Sequence, residues 1–340
     1  MNKKLYPIKF TPQERENVWG GESLAKKLNK EFTPGAKIGE SWEMWSLYGG
    51  SSKIANGFLE GNTLDDLMEI YLGDSVGDTI FQQYNGEFPI LIKLLDIEKE
   101  TSLQIHPNDT DAYERENANG KAEFWYVMEA KPESKIYMGF KKEITPTELY
   151  ERCMAGTLEE VLNCYTPKKG DCFYIEPGCM HAAKGGILLA EITQSSDITY
   201  RIYDWGRENN PQTARKMHLQ DAIDIIDYNL YTPDKYYFKN ISGNQIIVDT
   251  KHFIIKHKEV TASERVFPSL ANSFTAYVCT TGKALIRMND NTQYTIERGE
   301  TVLIPASMED FTLLPLAENT TLLEVTMPQL TEDEDNYLNY

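Results

Sequence analysis

A chain of 340 residues with 41% hydrophobic side chains exceeds what one core usually fills, so disorder is excluded except at the ends and two lobes are expected. Its 20 tyrosines and 13 phenylalanines favour strands over helices. Fifty-two acidic against 34 basic side chains give a formal charge of −18, which repels nucleic acid and anionic lipid, so neither is expected as a partner and any anionic ligand must be drawn by a local group of Lys and Arg.

The start, Met1-Asn2-Lys3-Lys4, leads into no signal-like apolar run, and no window approaches the ~20 apolar residues of a membrane helix. Cys153, Cys164, Cys172, Cys179 and Cys279 are odd in number without C-x-x-C spacing, which fits reduced thiols and a cytoplasmic protein. Residues 5–60 alternate strand-like runs with turns, and Trp42 and Trp45 read as core. Residues 63–71 read as a helix capped by Thr63, with Asp65 and Asp66 in its first turn. Residues 88–95 form an apolar run suited to a strand buried on both faces. Lys93 inside it needs either a snorkelling stem or an anionic partner.

A short helix is expected over 109–117 and a longer one over 145–163, the latter opened by Thr145-Pro146. Residues 172–175 are strand-like, and the strand over 187–193 carries Glu191 among apolar neighbours, where a carboxylate is costly unless paired. A helix over 217–226 precedes a polar connection, so the lobes are divided as 1–240 and 241–340. The second holds short strands, around 246–248, 253–255, 274–278, 284–288, 294–296, 301–304 and 321–325, as in a small β-barrel or jelly roll. Residues 299–306 echo 170–178, which suggests an internal duplication. Ser307, Met308 and Glu309 stand where His181 would correspond, and residues 332–335 read as a solvated acidic tail.

Residues 102–127 carry the densest chemistry. Gln104 and His106 are two apart, which on a strand sends both to one face, and Glu123 heads the next strand. His181 follows the Pro177-Gly178 turn. Each alone is an ordinary strand-end residue, but together Gln104, His106, Glu123 and His181 make a plausible four-ligand set for zinc or a neighbouring divalent metal. Cys172 and Cys179 read as small apolar hairpin residues, unneeded to complete it.

Histidine and glutamate on neighbouring strands, with a distant Gly-rich histidine hairpin, resemble cupin barrels. Tyr6-Pro7-Ile8-Lys9-Phe10, Trp19-Gly20-Gly21, Gly39-Glu40-Ser41-Trp42-Glu43, residues 88–96, Ser102-Leu103-Gln104-Ile105-His106-Pro107, Lys121-Ala122-Glu123-Phe124-Trp125-Tyr126 and residues 195–205 narrow the likeness further. Over residues 5–226 the chain resembles the type I mannose-6-phosphate isomerases in their shorter bacterial form. It departs from the longer members at Val18, where they carry aspartate, and at Ala122, where the family usually has proline.

The resemblance implies a mainly β fold of two cupin-like jelly-roll lobes with a few covering helices. Residues 1–240 would be the catalytic metal-binding lobe and 241–340 a barrel without metal ligands. It implies one Zn2+ per chain on Gln104, His106, Glu123 and His181, with other first-row metals possible, and Arg201 beside the reacting carbons. Lys93, Ser102, Lys121 and Asp197 would bind the phosphorylated hexose, and Glu191 is favoured over Asp197 or a metal-bound water as proton carrier. The implied reaction is the interconversion of mannose 6-phosphate and fructose 6-phosphate through a cis-enediol. An iron-dependent cupin dioxygenase is the alternative enzyme, disfavoured by Gln104 standing where it would have histidine, and a non-catalytic sugar-binding cupin is the third reading. Arg201 pairing with Asp197 or Asp204 for structure is the alternative for that residue. Oligomeric state is left open.

Overall fold

The structure, a computed structural model, describes residues 3–328, so the acidic stretch at 332–335 lies outside the described residues. It is mainly β with few helices, and among the described residues no helix is long and apolar enough to cross a membrane. Two compact units appear, one from residues 14–41 and 93–240, the other from 1–13, 42–92 and 241–340. This differs from an uninterrupted lobe over 1–240, since residues 1–13 and 42–92 group with the C-terminal segment. The reason is long-range pairing: strand Ile8–Lys9 lies antiparallel to Thr301–Ile304 with Ile8 opposite Leu303, and Lys9 forms an ion pair with Glu300 at 2.8 Å. No local periodicity reports such a partner.

In the unit of 14–41 and 93–240, one sheet places Glu123–Ala130 between Cys172–Ile175 and Ile187–Gln194, with residues 93–97 next. A five-stranded sheet runs in the order Leu162–Tyr165, Lys135–Phe140, His181–Lys184, Leu103–Ile105, Tyr200–Tyr203. Its alternation decides what each face carries. Leu103, Ile105, Ala182, Tyr200 and Ile202 pack into a cluster with Leu149, Leu158, Val161 and Ala222, so Gln104, His181 and Arg201 project from the opposite face.

Helices cover that apolar face. Pro146–Ala155 is capped by Thr145, whose hydroxyl accepts from the Glu148 N–H, and it ends at Gly156 in the left-handed conformation (φ 68°). The helix expected over 145–163 is therefore shorter, giving way to a 3-10 turn and the strand Leu162–Tyr165, because Gly156 adopts at little cost the conformation that stops an α-helix. The helix expected over 217–226 reduces to one turn, Leu219–Ala222. Its apolar residues Leu219, Ala222, Ile223 and Ile226 still pack against the cluster, so the apolar pattern reported burial rather than helical backbone.

In the other unit, strands of residues 241–328 form a sheet in the order Thr301–Ile304, Thr275–Thr281, Thr320–Thr326, Ile254–Val260, Gln245–Asp249, and a four-stranded sheet of Glu264–Val266, Phe311–Pro315, Lys283–Arg287 and Gln293–Glu297. Tyr277, Cys279, Ile286, Val302, Phe311 and Leu322 fill the core. The helix Leu64–Tyr71 has the expected Thr63 cap, completed as a capping box by Asp66.

The repeated segment is repeated in hydrogen bonds as well as in letters. Gly170 (φ 87°) donates to Val127 O at 2.9 Å while Val127 N–H donates to Asp171 O at 2.9 Å. Gly299 (φ 88°) donates to Cys279 O at 2.8 Å while Cys279 N–H donates to Glu300 O at 3.0 Å. With these aligned, Glu123, opposite Ile175 and Thr193, corresponds to Thr275, opposite Ile304 and Thr326. His181, opposite Gln104, corresponds to Phe311, opposite Val266. The counterpart of His181 is thus Phe311 rather than a residue within 307–309, because the connection after Ile304 is one residue longer than that after Ile175.

Candidate active site

Register brings the site together. Gln104 is flanked in the sheet by His181 on one side and Arg201 on the other. Glu123 enters from the facing sheet, and His106 follows the Leu103–Ile105 strand. His106 Nδ1 lies 2.6 Å from Ile198 O and His181 Nδ1 lies 2.9 Å from Cys179 O. A backbone carbonyl can only accept, so both Nδ1 atoms carry a proton, and in the neutral imidazole each Nε2 presents a lone pair. Those lone pairs face a carboxylate, with His106 Nε2 3.1 Å from Glu123 Oε1 and His181 Nε2 3.2 Å from Glu123 Oε2.

This arrangement is repulsive unless something positive sits among the atoms. His106 Nε2 and both oxygens of Glu123 are buried without a hydrogen-bond partner. Lys121 Nζ approaches Glu123 Oε1 to 3.1 Å, yet outside hydrogen-bond geometry. At His106 a proton does not resolve the conflict, since burial pushes that imidazole down to about 4, against the opposing pull of Glu123. Burial alone would raise the Glu123 carboxyl, but His106 and Lys121 outweigh it and hold the group well below the usual carboxylate range. One donor atom from each of His106, Glu123 and His181 lies within 4.8 Å of the others, and all three residues are buried, so they fit a metal ion.

Gln104 stands beside this trio with its amide reversed for ligation. Its Oε1 accepts from Ser102 Oγ at 3.0 Å, and its Nε2 lies 3.4 Å from His181 Nε2. An amide flip turns the oxygen toward the histidines. Ser102 also accepts from Arg201 Nε at 3.2 Å, linking the guanidinium to Gln104, while Arg201 Nη1 donates to Lys216 O at 2.7 Å. Arg201 is not held by Asp197 or Asp204: Asp204 is taken by Arg207 and Arg215, and Asp197 lies 3.3 Å from Lys93.

Lys93 neither snorkels nor waits for an anion. It is 2% exposed, and its ammonium lies 3.5 Å from Glu40, 3.5 Å from Glu191 and 3.3 Å from Asp197. Burial would lower it, but Glu40, Glu191 and Asp197 together raise it above an ordinary lysine. Glu191 also accepts from Trp125 Nε1 at 3.0 Å, and its carboxyl is raised by burial and by Glu123 against the pull of Lys93 and Lys121. A cavity of about 320 Å³ is walled by Gln104, Lys121, Glu123, Glu191, Asp197 and Arg201, with Lys93 at its side. Ser102 is not on that wall.

Sequence reasoning missed Glu40, Arg215 and His218, all on the wall of the cavity. Glu40 sat inside a quoted motif without being singled out. Arg215 lies where no periodicity marks an element and His218 within the stretch expected to be helical, and the one available signal was the basic grouping Arg215-Lys216 two residues before His218. His218 Nδ1 accepts from the Arg201 backbone N–H at 3.0 Å, and its own N–H donates to Arg201 O at 2.8 Å. Cys172 and Cys179 are buried free thiols, both raised by burial, consistent with packing residues.

Two jelly-roll barrels, one of which gathers two buried histidines and a buried glutamate beside a cavity, define a bicupin with a metal-type centre in one barrel. Residues 8–145 match the family model for the phosphomannose isomerase type I catalytic domain. The chain is 31% identical over 316 residues to the probable mannose-6-phosphate isomerase GmuF of Bacillus subtilis, covering 91% of this chain and 96% of that protein. Against the mannose-6-phosphate isomerase ManA of the same organism it is 36% identical over 224 residues, 65% of this chain and 68% of the relative. A crystal structure of the mannose 6-phosphate isomerase from Bacillus subtilis superposes with a TM-score of 0.79 at 27% identity, covering 94% of this chain and 99% of that one. The chain belongs to the type I mannose-6-phosphate isomerase family.

Proposed function

We propose that the protein is a metal-dependent aldose–ketose isomerase that interconverts mannose 6-phosphate and fructose 6-phosphate through a cis-enediol. The observation that carries this is the buried trio of His106, Glu123 and His181, with His106 Nε2 and both Glu123 oxygens unsatisfied, and with Glu123 reaching the cavity that Gln104, Glu191 and Arg201 also wall. His106, Glu123 and His181, with Gln104 after its amide turns, would hold one Zn2+ or a neighbouring first-row ion. When bound, the ion polarises a carbonyl or hydroxyl oxygen of the sugar.

The net change from aldose to ketose moves one hydrogen from C2 to C1 and one from O2 to O1. In this reading the Glu191 carboxylate takes the proton from C2 as the C1 carbonyl becomes an enediol oxygen, and returns it to C1 as the C2 carbonyl forms. The raised Glu191 carboxyl suits a group that must both accept and release. Arg201 supplies a fixed positive charge to the developing oxyanion, its guanidinium steadied by Ser102 and Lys216 O. Lys121 and Asp197 line the cavity as sugar contacts, and Lys93 holds Glu191 and Asp197 charged in place. The phosphate is drawn by Lys121 and Arg215 on the cavity wall, a local cationic group in an acidic protein, with His218 beside them. Five free cysteines support a cytoplasmic location.

The test is incubation with fructose 6-phosphate, with and without a chelator, followed by assay for mannose 6-phosphate. Formation that stops on chelation and returns with added Zn2+ is expected. A metal-loaded preparation that makes no mannose 6-phosphate overturns the reading, and oxygen uptake would place the protein among the cupin oxygenases instead.

A further inference from the structure

The unit of residues 1–13, 42–92 and 241–340 holds a cavity of about 540 Å³, within the range of small-molecule sites (~300–1,000 Å³) and lined by no residue of the site above. Tyr6, Phe58, Tyr71 and Tyr294 supply its aromatic surface, and its polar groups include Asp74, Asn289, Asp290 and Glu309. The rings form one group: Tyr6 stands 5.0 Å from Phe58, tilted, and 6.1 Å from Tyr294, stacked.

That aromatic surface is held in place from behind. Tyr6 is 7% exposed, its hydroxyl donates to Asn56 O at 2.7 Å and accepts from Leu59 N–H at 3.1 Å. Asn56 in turn accepts from Lys9 N–H at 2.8 Å and donates to Pro7 O at 2.9 Å, clamping the segment that carries the ring. Gly57 has φ 69°, and a Cβ there would stand 2.4 Å from the Tyr6 ring, so the close fit requires glycine. Phe58, by contrast, is 42% exposed, a large apolar ring left at a cavity that contains polar groups.

Charge narrows the ligand. Asp74, Asp290 and Glu309 outnumber Lys3 and Lys4, and Lys4 is paired with Glu309, so a phosphorylated or carboxylated ligand meets repulsion. A cationic ligand is denied the Phe58 face on which it would stack, because the ammonium of Lys3 already lies 4.9 Å over that ring. A neutral polyol escapes both penalties. Its C–H faces pack on aromatic rings while its hydroxyls bond to carboxylates and amides around them.

We propose that this cavity is a second, non-catalytic site for a neutral saccharide. The assignment does not depend on the isomerase reading. The probe is methyl α-D-mannopyranoside, which lacks a phosphate and a free anomeric carbonyl and so cannot turn over. Binding is followed by saturation-transfer NMR on the full chain in the presence of excess fructose 6-phosphate. Saturable transfer to the pyranose C–H protons is expected, weakened ~5-fold to ~10-fold in both Phe58→Ala and Tyr294→Ala, with the isomerase rate of Phe58→Ala unchanged. Phe58 is exposed enough that its truncation spares the fold, which a thermal midpoint checks. Absence of transfer, displacement of the mannoside by fructose 6-phosphate, or undiminished transfer in both variants would each overturn the proposal.

Discussion

In one barrel Lys93 lies 3.5 Å from Glu191 Oε1, and Glu191 Oε2 accepts from Trp125 Nε1 at 3.0 Å. In the other, Lys256 lies 3.4 Å from Glu324 Oε1, and Glu324 Oε2 accepts from Tyr277 Oη at 3.3 Å. The correspondence is one of register, since Trp125 is the sheet partner of Glu191 and Tyr277 that of Glu324. What surrounds the trio differs. Around Glu324 the charges balance, with Lys256 and Lys258 against Glu324 and Glu264. Around Glu191, four carboxylates, Glu40, Glu123, Glu191 and Asp197, meet two lysines, Lys93 and Lys121. Arg201, on the same cavity wall, adds a positive charge that its neutral acceptors Ser102 and Lys216 O leave uncancelled.

A surplus of carboxylates beside two inward imidazole nitrogens describes a place for a metal ion. The lysine–carboxylate–aromatic trio by itself is something this barrel builds with or without chemistry. The candidate ligands are what distinguish the barrels: Gln104, Glu123 and His181 have Val266, Thr275 and Phe311 as their counterparts.

The strongest way to break this contrast is to remove the histidines. His106→Ala combined with His181→Ala should abolish metal binding and lower kcat at least ~1,000-fold, measured by elemental analysis and initial rate. A double variant that keeps its metal would move the centre elsewhere. Arg201→Lys should lose ~100-fold to ~1,000-fold in kcat while metal content and thermal midpoint stay normal, because lysine keeps charge without the planar, multi-donor fork. An unchanged kcat would leave Arg201 no part in stabilising the oxyanion.

The two glutamates test the comparison directly. Glu191→Gln should cost ~100-fold or more in kcat, as expected for loss of a proton carrier. Glu324→Gln should leave kcat intact and cost ~1–3 kcal/mol of stability, since it removes only one charge from a paired cluster. Equal effects of the two variants on stability, with kcat untouched by either, would reduce Glu191 to architecture. The smallest effect is expected at the sugar contact. Lys121→Ala should raise KM for fructose 6-phosphate by ~10-fold with a lesser change in kcat, as for an interaction equally strong in ground and transition states. A wild-type KM at low salt would remove Lys121 from substrate binding.

Strand alternation put Gln104 and His106 on one face, and the period of two survives folding because a buried sheet face enforces it. The Thr63 and Thr145 caps, the Gly-rich repeat and the reduced cysteines were equally local, each a property of a few adjacent residues. His181 could be proposed as a ligand from sequence, but only the antiparallel register set it opposite Gln104. Glu40, on the strand Ile38–Met44, and Arg215 and His218, in a stretch without regular structure, are brought to one cavity wall only by the tertiary fold. Lys93 shows the limit most sharply. Its sequence context demanded a partner, and a substrate anion was the natural guess. Three carboxylates from distant points of the chain fill that role, because burial makes an unpaired ammonium too costly to leave for a ligand that comes and goes. The grouping of residues 1–13 and 42–92 with the C-terminal segment was likewise a tertiary decision. An edge strand of two residues carries almost no pattern of its own, and the pairing that places it is made with residues nearly 300 positions away.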